Sequence, residues 1–127
     1  TRVRSSAASD VYKRQVIIHR VPLGTTRGMC YHARRIKQIF LNIDMPSNIE
    51  MFVLAHELGH LVMHPKHNAP FLQNTFFNKN RYETEANTFA INLIMSDLDI
   101  TEHREYTIDE WAMFYGLPRE IIELRFE

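Results

Sequence analysis

The chain has 127 residues, of which 45% are hydrophobic and 24% charged, and its formal net charge at pH 7 is zero. These values fit one globular domain and exclude a global basic field that would draw the chain to nucleic acids or anionic membranes. The single cysteine, Cys30, excludes an internal disulfide framework and favours a reducing, cytoplasmic compartment.

Polar and basic residues without a periodic pattern fill the first fifteen positions, TRVRSSAASDVYKRQ. They lack the apolar core of a secretory signal, and no apolar run in the chain reaches the roughly 18 residues of a membrane-spanning helix. We therefore expect residues 1–15 to be a non-native or disordered leader, residues 16–127 to form one domain, and no membrane segment.

Three strands are predicted at the start of the domain. β-branched residues favour a strand at VIIHRV (16–21), and MCYHA (29–33) with IKQIFLNI (36–43) is typical of a strand pair. Period-2 alternation in the last strand predicts one buried face, formed by Ile39, Leu41 and Ile43.

A long apolar helix is predicted over about residues 48–63. Ser47 and Glu50 have the spacing of a capping box at a helix start, and Pro65 disfavours helical geometry at His64. The helix is apolar on almost all sides, so we expect it to be buried in the core.

A loop with two prolines leads to a second helix that begins near Arg81, with Asn80 as its N-cap. One apolar stripe at helical spacing is formed by Tyr82, Ala86, Phe89, Ala90, Leu93 and Ile94.

A polar connection then precedes two short C-terminal helices. Thr107 and Glu110 repeat the capping-box spacing, Gly116 suits a helix C-terminus, and Pro118 suits the first turn of the last helix. Two aromatic residues are expected to anchor these helices to the core, Trp111 and Phe114.

The sequence HELGH lies in the middle of the first helix, at residues 56–60. Residues four apart share one helix face, so His56 and His60 can direct two imidazoles at the same ion. Glu57 lies roughly 100° away, where it can reach a water on that ion. The spacing therefore predicts a metal site with Glu57 as the catalytic residue.

A catalytic zinc usually has three protein ligands. Metzincin spacing would place glycine at 63 and histidine at 66, and Met63 and Lys66 exclude that class. His64 and His67 are possible third ligands, although a surface or supporting position is the simpler interpretation of both.

The second helix offers two carboxylates, Glu83 and Glu85. Glu83 borders the apolar stripe beside Ala86 and Ala90, whose small side chains would let the first helix approach closely. Glu83 is therefore the favoured third ligand and Glu85 the alternative. Asn87, one turn after Glu83, could hydrogen-bond a ligand.

The motifs HELGHLVMH and ETEANTFAINLIM, in this order, resemble those of the ImmA/IrrE family of metallopeptidases. The resemblance covers roughly residues 16–95, and YTIDEWAMFYGLPREIIELRF looks like the helical C-terminal part of that family. One departure is Ser96, where the family commonly has proline.

The resemblance implies an α+β, zincin-like minimal metalloprotease domain: a small N-terminal sheet of about three strands, the HExxH helix, a helix with the glutamate ligand, and short C-terminal helices. In a gluzincin-like His/His/Glu set, His56, His60 and Glu83 would bind Zn²⁺ or Mn²⁺, and Glu57 would be catalytic. The implied substrate is a helix-turn-helix repressor of a mobile element or stress regulon, expected as a separate chain.

Hydrolysis also requires a group that stabilises the oxyanion. Tyr82, Tyr31 and His64 are candidates, and the sequence pattern does not choose among them.

Two other classes of function stay open. A metal-bound regulator or toxin-system partner would bind a repressor without cutting it. A nucleic-acid module could use IDEWAMFYGLPREII, but residues 109–123 contain four acidic residues and one arginine, Arg119. That charge is opposite to what DNA requires, so we expect no direct nucleic-acid binding.

Overall fold

Strands precede helices in the computed structural model, which describes residues 2–3, 16–33, 35–66 and 69–127. The strands are β1 (Arg2–Val3), β2 (Val16–Val21), β3 (Gly28–Ala33) and β4 (Ile36–Asn42). The helices are α1 (Ser47–Met63), α2 (Arg81–Ile94), α3 (Asp97–Glu102), α4 (Ile108–Tyr115) and α5 (Arg119–Arg125), and a 3₁₀ helix spans Gln73–Phe77. This architecture confirms the expected α+β class.

The sheet has the strand order β1-β2-β4-β3. β2 and β4 are parallel, whereas β1 pairs with β2 and β3 pairs with β4 in antiparallel fashion. The three predicted strands are confirmed. β1 lies within residues 1–15, and because the rest of that segment is outside the described residues, the leader stays a prediction.

Burial in β4 follows the predicted alternation as far as Leu41. Ile39 and Leu41 are fully buried, but Ile43 is 55% exposed and Asn42 is buried instead. The Asn42 side-chain amide donates hydrogen bonds to the carbonyls of Gly24 and Thr26, and these bonds offset the cost of burying it.

The capping box predicted for α1 is wrong. Pro46 occupies the N-cap position, and no side chain caps the helix start. The Glu50 carboxylate instead accepts a hydrogen bond from Arg20 Nε at 2.8 Å, so an ion pair to β2 replaces the local cap. The predicted end of the helix at Met63 is confirmed.

The expectation that α1 is buried on all sides is also wrong. Phe52 and Val53 are fully buried, whereas Met51 and Val62 are 58% and 66% exposed. The helix packs against β3, β4 and α2 and leaves one side to solvent. β3 comes so close that a Cβ on Gly28 would lie 2.5 Å from the Cγ1 atom of Val53.

In α2 the start near Arg81 and the Asn80 cap are confirmed, since the Asn80 side chain accepts from the backbone N–H of Tyr82. The apolar stripe was predicted too broadly, because Tyr82 and Leu93 are exposed. The side that packs inward is formed by Glu83, Ala86, Asn87, Ala90 and Ile91.

The C-terminal helices close the other end of the core. The Thr107–Glu110 capping box and the left-handed Gly116 are confirmed. Trp111 is buried as expected, whereas Phe114 is 54% exposed and so is a weaker anchor than predicted.

Two short helices, α3 and the 3₁₀ helix, lie in segments predicted to be loops. Within the described ranges, no helix combines the length and apolarity needed to cross a bilayer.

Candidate metal centre

Three side chains from α1 and α2 converge at one point. The Nε2 atoms of His56 and His60 lie 3.0 Å apart, as expected for residues one helical turn apart. The Oε1 atom of Glu83, in the first turn of α2, lies 2.5 Å from Nε2 of His60 and 3.3 Å from Nε2 of His56. All three residues are at most 3% exposed.

This donor set fits a divalent cation. Two imidazole nitrogens and one carboxylate oxygen are the ligands that Zn²⁺ and several related ions take in catalytic sites. Burial of such polar groups is costly unless they share a partner, and the three donor atoms lie within 3.3 Å of one another. A single ion bound among His56, His60 and Glu83 would satisfy all three.

Glu57 belongs to the same buried cluster but has a different environment. One of its carboxylate oxygens lies within 4.8 Å of a ring nitrogen of His56 and of a ring nitrogen of His60. Both carboxyl oxygens are buried, and neither has a hydrogen-bond partner among the described residues. Burial, and then the negative charge of Glu83, raises the pKa of Glu57. An unpaired buried carboxyl group of this kind is typical of a functional site.

The protonation states of the other groups also suit a cation. Burial would raise the pKa of Glu83, but hydrogen bonds from His56 and His60 outweigh it and lower that pKa to about 2. Burial lowers the pKa of His60, which favours the neutral imidazole that binds metals.

Asn87 contacts the far side of the first histidine. Its Oδ1 atom lies 2.7 Å from Nδ1 of His56, and its Nδ2 atom donates to the carbonyl of Thr75 at 3.3 Å. With an ion bound to Nε2, a neutral His56 would carry its proton on Nδ1 and donate it to Oδ1 of Asn87.

We expect Asn87→Ala to weaken divalent-metal affinity by about 10–100-fold, because His56 loses the acceptor that sets its orientation. The affinity can be measured by competition with a chromogenic chelator. Asn92→Ala is the matched control, since Asn92 is an exposed asparagine on the same helix. Equal affinities for the two variants would contradict the assigned contact.

Of the other predicted polar residues, Glu85 and Tyr82 contact His64. Its Nδ1 atom is 3.4 Å from Nδ1 of His60, and its Nε2 atom is 2.8 Å from Oε1 of Glu85. The ring of Tyr82 packs edge-on against it, with centroids 4.7 Å apart. Tyr31, on β3, is 54% exposed. His67 lies outside the described residues.

Two neighbours of the site were missed by the sequence reasoning. The ring of Phe71 packs edge-on against His56 at 4.8 Å, and its backbone pairs with Gly28 of β3. Phe76 packs against Phe71 and Phe52. The available signal was the presence of three phenylalanines, at positions 71, 76 and 77, in an otherwise polar connection. Large aromatic side chains of this kind are mostly buried, so they rarely lie in a solvated loop.

Cys30 is buried in the core, as predicted. Burial, and then the charges of Glu57 and Glu83, raises the pKa of its thiol to about 12. A thiol that stays protonated is a poor metal ligand, which favours the structural interpretation.

Two cavities were candidates for a substrate site. One of about 420 Å³ lies beside His64 and is lined by Met63, His64, Pro65, Lys66 and Tyr82. A larger one, of about 700 Å³, lies between the β2–β3 turn and the 3₁₀ helix, and no ligand candidate lines it. The smaller cavity is therefore the more relevant to the chemistry.

Comparison with known proteins gives one family and two relatives. Residues 10–127 match the family model for peptidase family M78, described as the IrrE N-terminal-like domain. The chain is similar to the "Uncharacterized immunity region protein 2" of Bacillus phage phi105, with 37% identity over 101 residues, which cover 77% of this chain and 64% of the phage protein. It is also similar to "Metallopeptidase ImmA" of Bacillus subtilis (strain 168), with 24% identity over 132 residues, which cover 97% of this chain and 78% of that protein.

Proposed function

This chain belongs to peptidase family M78, the IrrE N-terminal-like metallopeptidases, and we propose that it is a metal-dependent endopeptidase. The observation that carries the proposal is the convergence of His56, His60 and Glu83 beside the Glu57 carboxyl group, which has no hydrogen-bond partner among the described residues. Zn²⁺ is the proposed ion, and Mn²⁺ would also suit these donors.

In the proposed reaction His56, His60 and Glu83 hold the ion and Asn87 orients His56. A bound divalent ion supplies Lewis acidity, which acidifies water and polarises a carbonyl oxygen. Glu57 takes a proton from the attacking water as the new C–O bond forms, and then passes it to the amine nitrogen, so that the peptide C–N bond breaks and the amine leaves.

Access to Glu57 requires movement, because its side chain and those of the proposed ligands are at most 3% exposed. A polypeptide therefore reaches the site only after residues around it shift. The cavity beside His64 and Tyr82 is the proposed opening for a substrate, because His64 contacts the proposed ligand His60. Of the three oxyanion candidates, His64 and Tyr82 line it, and Tyr82 is favoured because both ring nitrogens of His64 contact other side chains.

The proposed substrate is a helix-turn-helix repressor of a mobile element or stress regulon, supplied as a separate chain. The names of the relatives, a phage immunity-region protein and a metallopeptidase, support the mobile-element setting and the peptidase activity. The repressor itself is proposed from the resemblance of HELGHLVMH and ETEANTFAINLIM to the ImmA/IrrE family. The chain spans 64% of the length of the phage protein, so the substrate of the whole protein is part of the proposal.

The test is to incubate the zinc-loaded chain with the purified repressor encoded beside its gene, and to analyse the products by mass spectrometry. We expect two repressor fragments, none after chelation, and recovery when Zn²⁺ is restored. Fragments that persist after chelation would refute metal-dependent hydrolysis.

A non-proteolytic regulator is the second candidate. It is favoured by the near-complete burial of Glu57, which limits contact with a polypeptide. In the same experiment, a repressor that stays intact but loses its operator DNA in the presence of the chain would support this alternative.

A further inference from the structure

The second ligand histidine contacts a further histidine rather than an amide. Nε2 of His60 lies near Glu83, while its other ring nitrogen, Nδ1, lies 3.4 Å from Nδ1 of His64. His64 in turn places Nε2 at 2.8 Å from Oε1 of Glu85. A line of three polar side chains therefore runs from the buried ligand to a carboxylate whose side chain is 42% exposed.

If a neutral His60 binds metal through Nε2, only one arrangement of protons makes both the His60–His64 contact and the His64–Glu85 contact hydrogen bonds. His60 then carries its proton on Nδ1 and donates it to Nδ1 of His64. His64 must carry its proton on Nε2, which donates to Glu85. Glu85 accepts only, because it is a carboxylate, so it selects the tautomer of His64 that can accept from His60.

We propose that His64, held by Glu85, is a positioning residue that fixes the tautomer and ring orientation of His60 for metal binding. The inference rests on the proposed function and gives Glu85 a role other than that of a ligand. It also makes the two histidines of the centre unequal, since His56 relies on the buried Asn87 and His60 on a pair that reaches the surface.

The helix spacing makes this line possible. His60 is in the last turn of α1 and His64 is the C-cap residue directly after it, four positions on, and Glu83 and Glu85 leave α2 on two different sides. Glu83 faces the buried cluster, while Glu85 meets His64 beside the cavity of about 420 Å³. The same pair of helices thus supplies both the ligands and the groups that orient them.

Three substitutions test the line through the affinity for Co²⁺, measured by titration of its visible absorption. We expect His64→Phe to weaken binding by about 10–100-fold, because the ring is kept but the acceptor is lost. His64→Asn should stay within about threefold of the parent, because its amide oxygen replaces Nδ1 as acceptor. Glu85→Ala should weaken binding in the parent chain but not in the His64→Asn background.

Circular dichroism and thermal unfolding of each variant check that the fold is retained.

The proposal is overturned if folded His64→Phe binds Co²⁺ as tightly as the parent, or if Glu85→Ala weakens binding equally in both backgrounds. Failure of the proposed function would give a different result. If the variants bind Co²⁺ in the expected pattern but the parent cleaves no repressor, the positioning role of His64 and Glu85 stands and the peptidase assignment is rejected.

Discussion

Replacement of Glu57 by glutamine will lower the rate of peptide hydrolysis by about 10²–10⁴-fold while divalent-metal affinity stays within a few-fold of the parent. Glutamine has nearly the same shape as glutamate but cannot take a proton from water. The proposed ligand atoms are on His56, His60 and Glu83, so the ion stays bound. The measurement is the initial rate of fragment formation at saturating Zn²⁺, together with metal affinity by competition.

The same variant makes a prediction about stability. Glu57 is fully buried, and its carboxyl oxygens have no hydrogen-bond partner among the described residues, so a charge there opposes folding. We expect the free energy of unfolding of the metal-free Glu57→Gln chain to equal or exceed that of the parent in urea titrations. Parent-like hydrolysis by Glu57→Gln would remove the proposed base from the mechanism.

The second large effect is expected at the carboxylate proposed as third ligand. Glu83→Gln should lower metal affinity by more than the roughly 100-fold that the loss of a supporting partner costs, because it removes a direct anionic donor. Hydrolysis should be lost with the ion and return only partly at high Zn²⁺ concentration. Competition titration and the cobalt absorption spectrum measure the effect.

This experiment also discriminates between two carboxylates, because Glu57 and Glu83 both lie in the buried cluster. The distances favour Glu83, whose Oε1 atom is 2.5 Å from Nε2 of His60. Glu102→Gln, at an exposed position on α3, is the control for the loss of one negative charge. If Glu83→Gln kept the parental affinity and Glu57→Gln lost it, the ligand and the base would have to be exchanged.

The two helices have different parts in the centre. α1 supplies two ligands and the proposed base within five residues, and α2 supplies the third ligand together with Asn87 and Glu85. A change in the packing of α1 against α2 would therefore separate the donors without altering any of them. Ala86 and Ala90, both fully buried on α2, permit the close approach that the sequence predicted.

The sequence by itself determined the features that depend on local periodicity. Helical spacing brings His56 and His60 to one face of α1, whatever the rest of the fold does. Period-2 alternation and β-branched residues predicted the strands, and short-range caps such as Thr107 with Glu110 predicted helix boundaries. The choice of Glu83 over Glu85 came from the same periodicity, and the short distances to both histidines support it.

Only the tertiary structure decided which partner each side chain meets across the fold. Glu50 has the local spacing of a capping residue, yet it pairs with Arg20, thirty positions away. Asn87 and Phe71 meet His56, and Glu85 meets His64, because α1, α2 and the connecting segment pack together. Residue spacing describes a single helix or strand, whereas these contacts depend on how separate elements are oriented, and that orientation is set by the packing of the whole core.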